Sequence, residues 1–440
     1  MKNTSHIWAL LSGITIYLCV FIFSPATVYA TDVSVGAPTT VVATNQIVPV
    51  VSPFSGQPTP SIDAPLTTFM SGGIRYWLNS VGAYQTMYQG TLDKPFQNPI
   101  WTKDTKTLFS DPYHLGIGGP WKEIDAENFT FGGSAIWVVN NYQVSDKEIL
   151  AFLHVEVPTV VNGVYSTGKS KIGLAWSSDG GASFTYLGDI LEYPGTTGEY
   201  NMQGAPYVIK DGYFYLYYHD LCSYPATTVA REDVATVVNA ARSGKVTAWN
   251  KYYNGGWNES GLGGQCSPVN IMPGVDTTDA TYSTYTGKYY LLLSQYSNSG
   301  SNTWIKLFES TDGINWTFIK DIVNEPPSTD TAGYQYVSIV NSDGNDNGVV
   351  GQSFYVYSAK NLYNNPTISR WLITLNTPAS LPTPSLKPGD LNSDSKVDIN
   401  DYNILMGNFG KTGIGIVGDI DGNGNVDIFD YNILVGSFGK

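Results

Sequence analysis

The chain has 440 residues, a formal net charge of −14 at pH 7 and only 14% charged residues. That balance excludes a nucleic-acid or anionic-membrane binder, whose footprint is basic. The 31 tyrosines and 11 tryptophans indicate sheets and ring-lined surfaces rather than a charged helical bundle.

Lys2 precedes an apolar stretch from Ile7 to Phe23, and Val28-Tyr29-Ala30 closes it. A charged start, an apolar core and a small-residue exit make residues 1–30 a secretory signal peptide, cut after Ala30. The mature chain is therefore expected to be secreted or at the cell surface, and no later segment is long enough to span a bilayer. Cys19 leaves with the signal, so Cys222 and Cys266 remain. An oxidising compartment permits a bridge between them, and two free buried thiols fit equally well.

Residues 31–52, rich in Thr, Val, Ala and Pro, read as a leader linker, and 377–388 as an extended Pro-rich spacer. Between them, residues 53–376 can form one large all-β domain. One aromatic-rich strand type recurs five times, at 74–81, 135–142, 212–219, 287–294 and 352–359. That period predicts a five-bladed β-propeller, each blade a four-stranded antiparallel sheet. Further strands are expected at 148–156, 171–178, 303–310 and 368–375, and one helix at Arg231–Ser243.

Two turns support the propeller. Ser177-Ser178-Asp179-Gly180-Gly181-Ala182-Ser183-Phe184 resembles the Asp-box of sialidase-type propellers, and Ser310-Thr311-Asp312-Gly313-Ile314-Asn315-Trp316 is a shorter relative. Both are hairpin devices, so Asp179 and Asp312 are assigned to structure and not to chemistry.

The first strand of each blade lines the channel, so the start of each repeat carries the site candidates. These starts hold Asp63, Asp125, Gln203 with Tyr207, Asp276 to Tyr282, and Tyr334 to Tyr336. Carboxylates there suit glycoside hydrolysis, which needs one as base or nucleophile and a protonated acid opposite it. Trp77, Trp121, Tyr207 and Trp257 are candidate faces for sugar rings, and Gln203 and His219 candidate polar contacts. The loop Trp249–Gly264 reads either as a carbohydrate shelf or as a packed loop.

With Asp63 in Ile62-Asp63-Ala64-Pro65, the domain resembles five-bladed glycoside hydrolases of the family 43 and family 117 type. The resemblance implies that Asp63 is the general base and Asp125 the carboxylate that orients the acid. The family's acidic Glu has no counterpart, because Gly204 stands there with Gln203 before it. The acid is then expected elsewhere, first at Glu156 and second at His154, which share a strand face as residues i and i+2. Glu199 and Asp220 rank below them.

The last segment, residues 389–440, holds a calcium-loop pattern twice. Asp390, Asn392, Asp394, Lys396, Asp398 and Asp401 occupy positions 1, 3, 5, 7, 9 and 12 of one loop. Asp419, Asp421, Asn423, Asn425, Asp427 and Asp430 repeat them, each set running into a DYNIL segment. That is the EF-hand schedule of hard oxygen donors for Ca²⁺, with position 7 giving its carbonyl. The tail resembles a type I dockerin, a small helical module. The resemblance implies two bound Ca²⁺ ions and a cohesin-type protein partner. Ser395 replaces the usual loop glycine, and Ile399-Asn400 and Ile428-Phe429 stand where dockerins commonly carry Ser-Thr.

Three other readings stand beside a secreted glycosidase. A carbohydrate-binding propeller without catalysis follows if the missing Glu means a lost acid. A sialidase would need clustered arginines, whereas Arg75, Arg231, Arg242 and Arg370 are scattered. A structural surface protein would use the propeller only to display the tail. A structural ion in the propeller is neither implied nor excluded.

Overall fold

The computed structural model describes residues 30–51, 57–82, 84–110, 135–161, 164–194, 202, 204–219, 227–272, 276–295, 303–326, 333–342, 347–362, 365–376, 388–392, 396–412, 416–421 and 423–439. Five sheets of four or five strands make five blades. Blade one runs outward through Thr67–Ser71, Ile74–Val81, Tyr84–Gln89 and Asn98–Asp104. Blade two uses Ala135–Gln143, Ile149–Val161, Val164–Ser177 and Phe184–Leu191. Blade three begins at Tyr207–Lys210 and Tyr213–His219, blade four at Asp276–Ser283 and Lys288–Gln295, and blade five at Gln335–Asn341 and Ser353–Lys360.

A ring closes only if every blade buries one face against each neighbour, and five separate apolar clusters do this. Phe69 and Leu78 pack against Ile136 and Leu153 between blades one and two. Phe152 and Trp176 meet Phe214 and Tyr218 between two and three. Tyr215 and Tyr217 meet Leu291 and Leu293 between three and four, and Tyr290 and Ile305 meet Phe354 and Trp371 between four and five. Trp77 and Tyr88 meet Tyr357 and Ile368 between five and one. Each such side chain contributes about 1.5–3 kcal/mol by leaving water, so the ring is held by its interfaces as much as by its ladders.

Three expectations are corrected here. Residues 31–52 are not a free linker, because Asp32–Val35 and Thr39–Val42 both pair with Thr367–Asn376 and complete the outer edge of blade five. The recurring strand is the second strand in four blades, but 135–142 is the first strand of blade two; its second begins at Ile149. An aromatic-rich run marks a buried strand and not its place in the sheet. The expected helix begins later, at Val234–Arg242, because Asp233 ends the preceding strand and caps the helix by accepting Thr236 N–H at 2.7 Å.

The turn assignments hold in detail. Asp179 accepts from Ser183 N–H at 3.0 Å and from the Ser177 hydroxyl at 2.8 Å. Asp312 accepts from the N–H groups of Ile314 and Asn315 at 2.8 and 2.7 Å. Gly181, at φ +85°, is fixed by space as well, because a Cβ there would lie 2.5 Å from the Phe69 ring of blade one.

The tail folds as two matching helices, Ile399–Asn408 and Ile428–Ser437. Val397, Leu405, Val426 and Leu434 form its core. Among the described residues, no helix is long and apolar enough to cross a membrane.

Candidate functional site

Asp63 precedes the first strand of blade one, and its carboxylate is gripped at both oxygens. Trp137 of blade two donates its indole N–H to Oδ2 at 3.0 Å, and Tyr336 of blade five donates its hydroxyl to Oδ1 at 3.0 Å. Two donors on one carboxyl group favour the ionised form. Tyr336 has φ +53°, a left-handed conformation that is rare for an aromatic residue. It sits where the register of blade five slips between Gln335 and Ser338, so an irregular strand delivers this hydroxyl.

Trp137 and His154 are cross-strand partners in blade two, with ring centroids 5.2 Å apart. His154 Nδ1 lies 2.9 Å from the Met202 carbonyl, and its Nε2 lies 3.3 Å from Glu156 Oε1. A carbonyl can only accept, so Nδ1 carries a proton. Nε2 therefore faces the Glu156 carboxyl group, which brings two groups able to carry a proton side by side. Asp63, Trp137, His154 and Glu156 thus form a continuous series, with one carboxylate at one end and the His154–Glu156 pair at the other. His154 and Glu156 are partly exposed, so the pair can meet a ligand.

A small polar cavity where the blades meet is lined by residues that include Thr68, Asn140, Asp279 and Asn341. Asp279 accepts from Ile339 N–H at 2.6 Å and from the Asn140 amide at 3.4 Å. Register slips before Asn140 and before Asp279 turn both side chains to the axis. Asp279 falls within the expected blade-four start, Asp276 to Tyr282, whereas Asn140 and Trp137 were not among the expected site residues. The pattern of the first strands carries no mark of a bulge.

Several candidates belong to the core instead. Trp77 is fully buried against Tyr357, and Tyr207 is 1% exposed with its hydroxyl donating to Asn141 O at 2.9 Å. Neither can stack on a sugar. Trp257 lies in the outermost hairpin of blade three, its ring under the Arg231 guanidinium at 4.4 Å and far out along the sheet from the innermost strand. The loop from Trp249 is therefore a packed hairpin, with Trp249 itself buried. His219 is buried too, and burial pushes its imidazole down to about 4. Asp125, Trp121, Gln203, Glu199 and Asp220 lie outside the described residues. Cys266 is disulfide-bonded, and Cys222 lies outside the described residues.

The four arginines do not converge on this site. Arg75 bonds to Thr68 behind Trp77, Arg231 covers Tyr213 and Trp257, Arg242 pairs with Glu148, and Arg370 pairs with Asp93.

In the tail, Asp401 accepts from the N–H groups of Leu391, Asn392 and Asp398, and Asp430 accepts from those of Ile420, Asp421 and Asp427. The two loops therefore close the same way. Asp398 and Asp427 cap the two helices. Carboxylate oxygens of Asp419, Asp421 and Asp430 lie within 4.8 Å of one another. Asp419 Oδ1 is buried and meets no donor among the described residues, which suits a hard cation. Asn423 and Asn425 lie on the same loop. In the first loop, Asp390, Asn392 and Lys396 are described and Asp394 is not.

No protein-family model and no curated protein matches the chain. Solved structures with a similar fold include the catalytic domain of a GH62 α-L-arabinofuranosidase from Coprinopsis cinerea, at 11% identity and TM-score 0.45 over 78% of this chain and 98% of that one. A putative exo-β-1,3-galactanase from Bifidobacterium bifidum s17 has 13% identity and TM-score 0.42, over 75% and 93% of the two chains. A GH43 endo-arabinanase from Bacillus licheniformis has 15% identity and TM-score 0.42, over 72% and 94%.

Proposed function

We propose that the protein is a secreted glycoside hydrolase acting on a poly- or oligosaccharide. The observation that carries this reading is the series Asp63–Trp137–His154–Glu156, which brings a carboxylate with two hydrogen-bond donors and a His–Glu pair to one site. Asp63 is the base: it takes a proton from water as the water oxygen bonds to the anomeric carbon. The proton shared by His154 and Glu156 goes to the glycosidic oxygen as the carbon–oxygen bond breaks. Asp63, at the entry to blade one, is held by neighbours in two other blades, and proximity of this kind is a large part of rate enhancement. The acid is thus supplied from the second strand of blade two, in place of the Glu that the resemblance to family 43 would have placed at Gly204.

The tail is read as a dockerin-like module that binds two Ca²⁺ ions and docks to a cohesin-type partner. Exposed apolar residues recur at matching positions of its two halves. Ile399 and Ile428 are 57% and 53% exposed, and Phe409 and Phe438 are 43% and 45% exposed. Apolar surface repeated in this way fits a protein partner better than bulk water. The bound ions would complete the loops by engaging the free Asp419 oxygen and its neighbours.

The test is turnover of aryl glycosides and plant or algal oligosaccharides by the full chain from Thr31, beside Glu156→Gln and His154→Asn. Either substitution should lower turnover by about 10²–10⁴. Glycan binding without any turnover would instead support the non-catalytic carbohydrate-binding propeller.

A further inference from the structure

Thr31 is the first residue after the proposed cleavage point, and it is buried at 4% exposure while Ala30 is exposed. Its backbone nitrogen lies 3.2 Å from Glu309 Oε2, and its hydroxyl lies 3.0 Å from the Tyr290 hydroxyl. Glu309 is itself 6% exposed, and its other oxygen takes Lys288 Nζ at 2.8 Å. Lys288 also reaches the Thr31 hydroxyl at 3.3 Å. All three partners belong to blade four, whereas the strand that starts at Asp32 completes blade five.

From this geometry we infer that the pocket around Glu309 is a binding site for the chain's own α-ammonium group, created when the signal peptide is removed. In the uncleaved chain the Thr31 nitrogen is a neutral amide with one N–H. Cleavage after Ala30 turns it into a cation at the same place, and each Glu309 oxygen then holds one cation. A charge-assisted bond is about twice as strong as a neutral one, and burial reduces its screening. The new charge ties the outermost strand of blade five to the third strand of blade four, so processing locks the ring. The inference rests on the reading of residues 1–30 as a cleaved signal.

The groups facing the new amine are Glu309, Lys288 and Tyr290 of blade four, with Asp32 next to it in the chain and exposed. A free α-amino group titrates at about pH 8. Glu309 favours the charged amine and Lys288 opposes it, and alkaline buffer discharges the amine, so the ionic contribution is present at pH 7 and is lost on the alkaline side.

Two full-length proteins decide the ionic half: one beginning at Thr31 with a free amine, and one carrying Gly-Ser-Ala ahead of Thr31. The first should melt about 2–4 °C higher at pH 7, and the gap should close in alkaline buffer and in a Glu309→Gln background. Neither protein alters a side chain, so the comparison survives even if Glu309→Gln fails to fold. Equal midpoints at pH 7, or a gap that persists in Glu309→Gln, would overturn the ion pair. Mass spectrometry of the exported chain decides the processing half: a first residue other than Thr31 overturns the signal's part and leaves the melting result standing.

Discussion

Asp63 and Trp137 lie 74 positions apart, in neighbouring blades, yet the indole N–H meets the carboxylate at 3.0 Å. The same indole ring packs on His154, so one side chain touches both the carboxylate and the His154–Glu156 pair. Trp137 is almost wholly buried and so acts through these neighbours rather than by touching a ligand broadly.

Trp137→Phe and Tyr336→Phe each remove one donor to Asp63 and keep a ring in place. A bond to a charged group contributes about 1.5–3 kcal/mol, so each change should lower kcat roughly 10- to 100-fold. KM should change little, because the lost bond positions the base and does not hold substrate. Steady-state kinetics on a hydrolysed glycoside checks the split.

His219 gives the propeller an acid-side sensitivity. Its folded value is about 4 and its ordinary value 6.5, with burial as the cause, and Nε2 has no partner among the described residues. The unfolded chain therefore binds the extra proton between these values. Stability is full above about pH 6.5 and falls by up to about 3 kcal/mol as pH drops towards 4. Urea unfolding at stepped pH should show this slope, and His219→Gln should flatten it.

Asp179 should matter for stability and not for turnover. Hydrogen bonds from Ser183 and Ser177 outweigh its burial and hold its carboxyl below the usual range. Asp179→Ala takes the acceptor away from the Ser177 hydroxyl and from the N–H and hydroxyl of Ser183, and should cost about 1–3 kcal/mol. A thermal melt measured beside catalytic rate separates the two roles, because the rate at 25 °C should stay near that of the parent.

On the proposed calcium-binding role, removing the ion should act on the tail. Chelation leaves Asp419, Asp421 and Asp430 facing one another without a cation, so the helices Ile399–Asn408 and Ile428–Ser437 should lose order. Far-ultraviolet circular dichroism before and after chelator should show a small loss of helix that added Ca²⁺ restores. Asp419→Asn should weaken the response.

The propeller was legible because burial on both faces leaves dense aromatic runs, and Tyr213–His219 and Lys288–Gln295 are such runs. Blade two was misphased because its first strand, Ala135–Gln143, is as aromatic as its second. The N-terminal strands escaped notice because Asp32–Val35 is short and gains its order only from a partner more than 300 positions away. That His154 and Glu156 share one strand face was legible from their i, i+2 spacing. Tyr336 as a donor to Asp63 was not, because its hydroxyl arrives through a bulge and a left-handed backbone that no local pattern announces. Trp77 and Tyr207 show the converse: a ring near a blade start is as useful to a blade interface as to a sugar.

The central claim is tested most directly by turnover of the chain from Thr31 on a glycoside panel, with Asp63→Asn measured alongside. The account predicts hydrolysis by the parent and a loss of about 10²–10⁴ in the variant, with the fold intact by circular dichroism. Full activity in Asp63→Asn would contradict it.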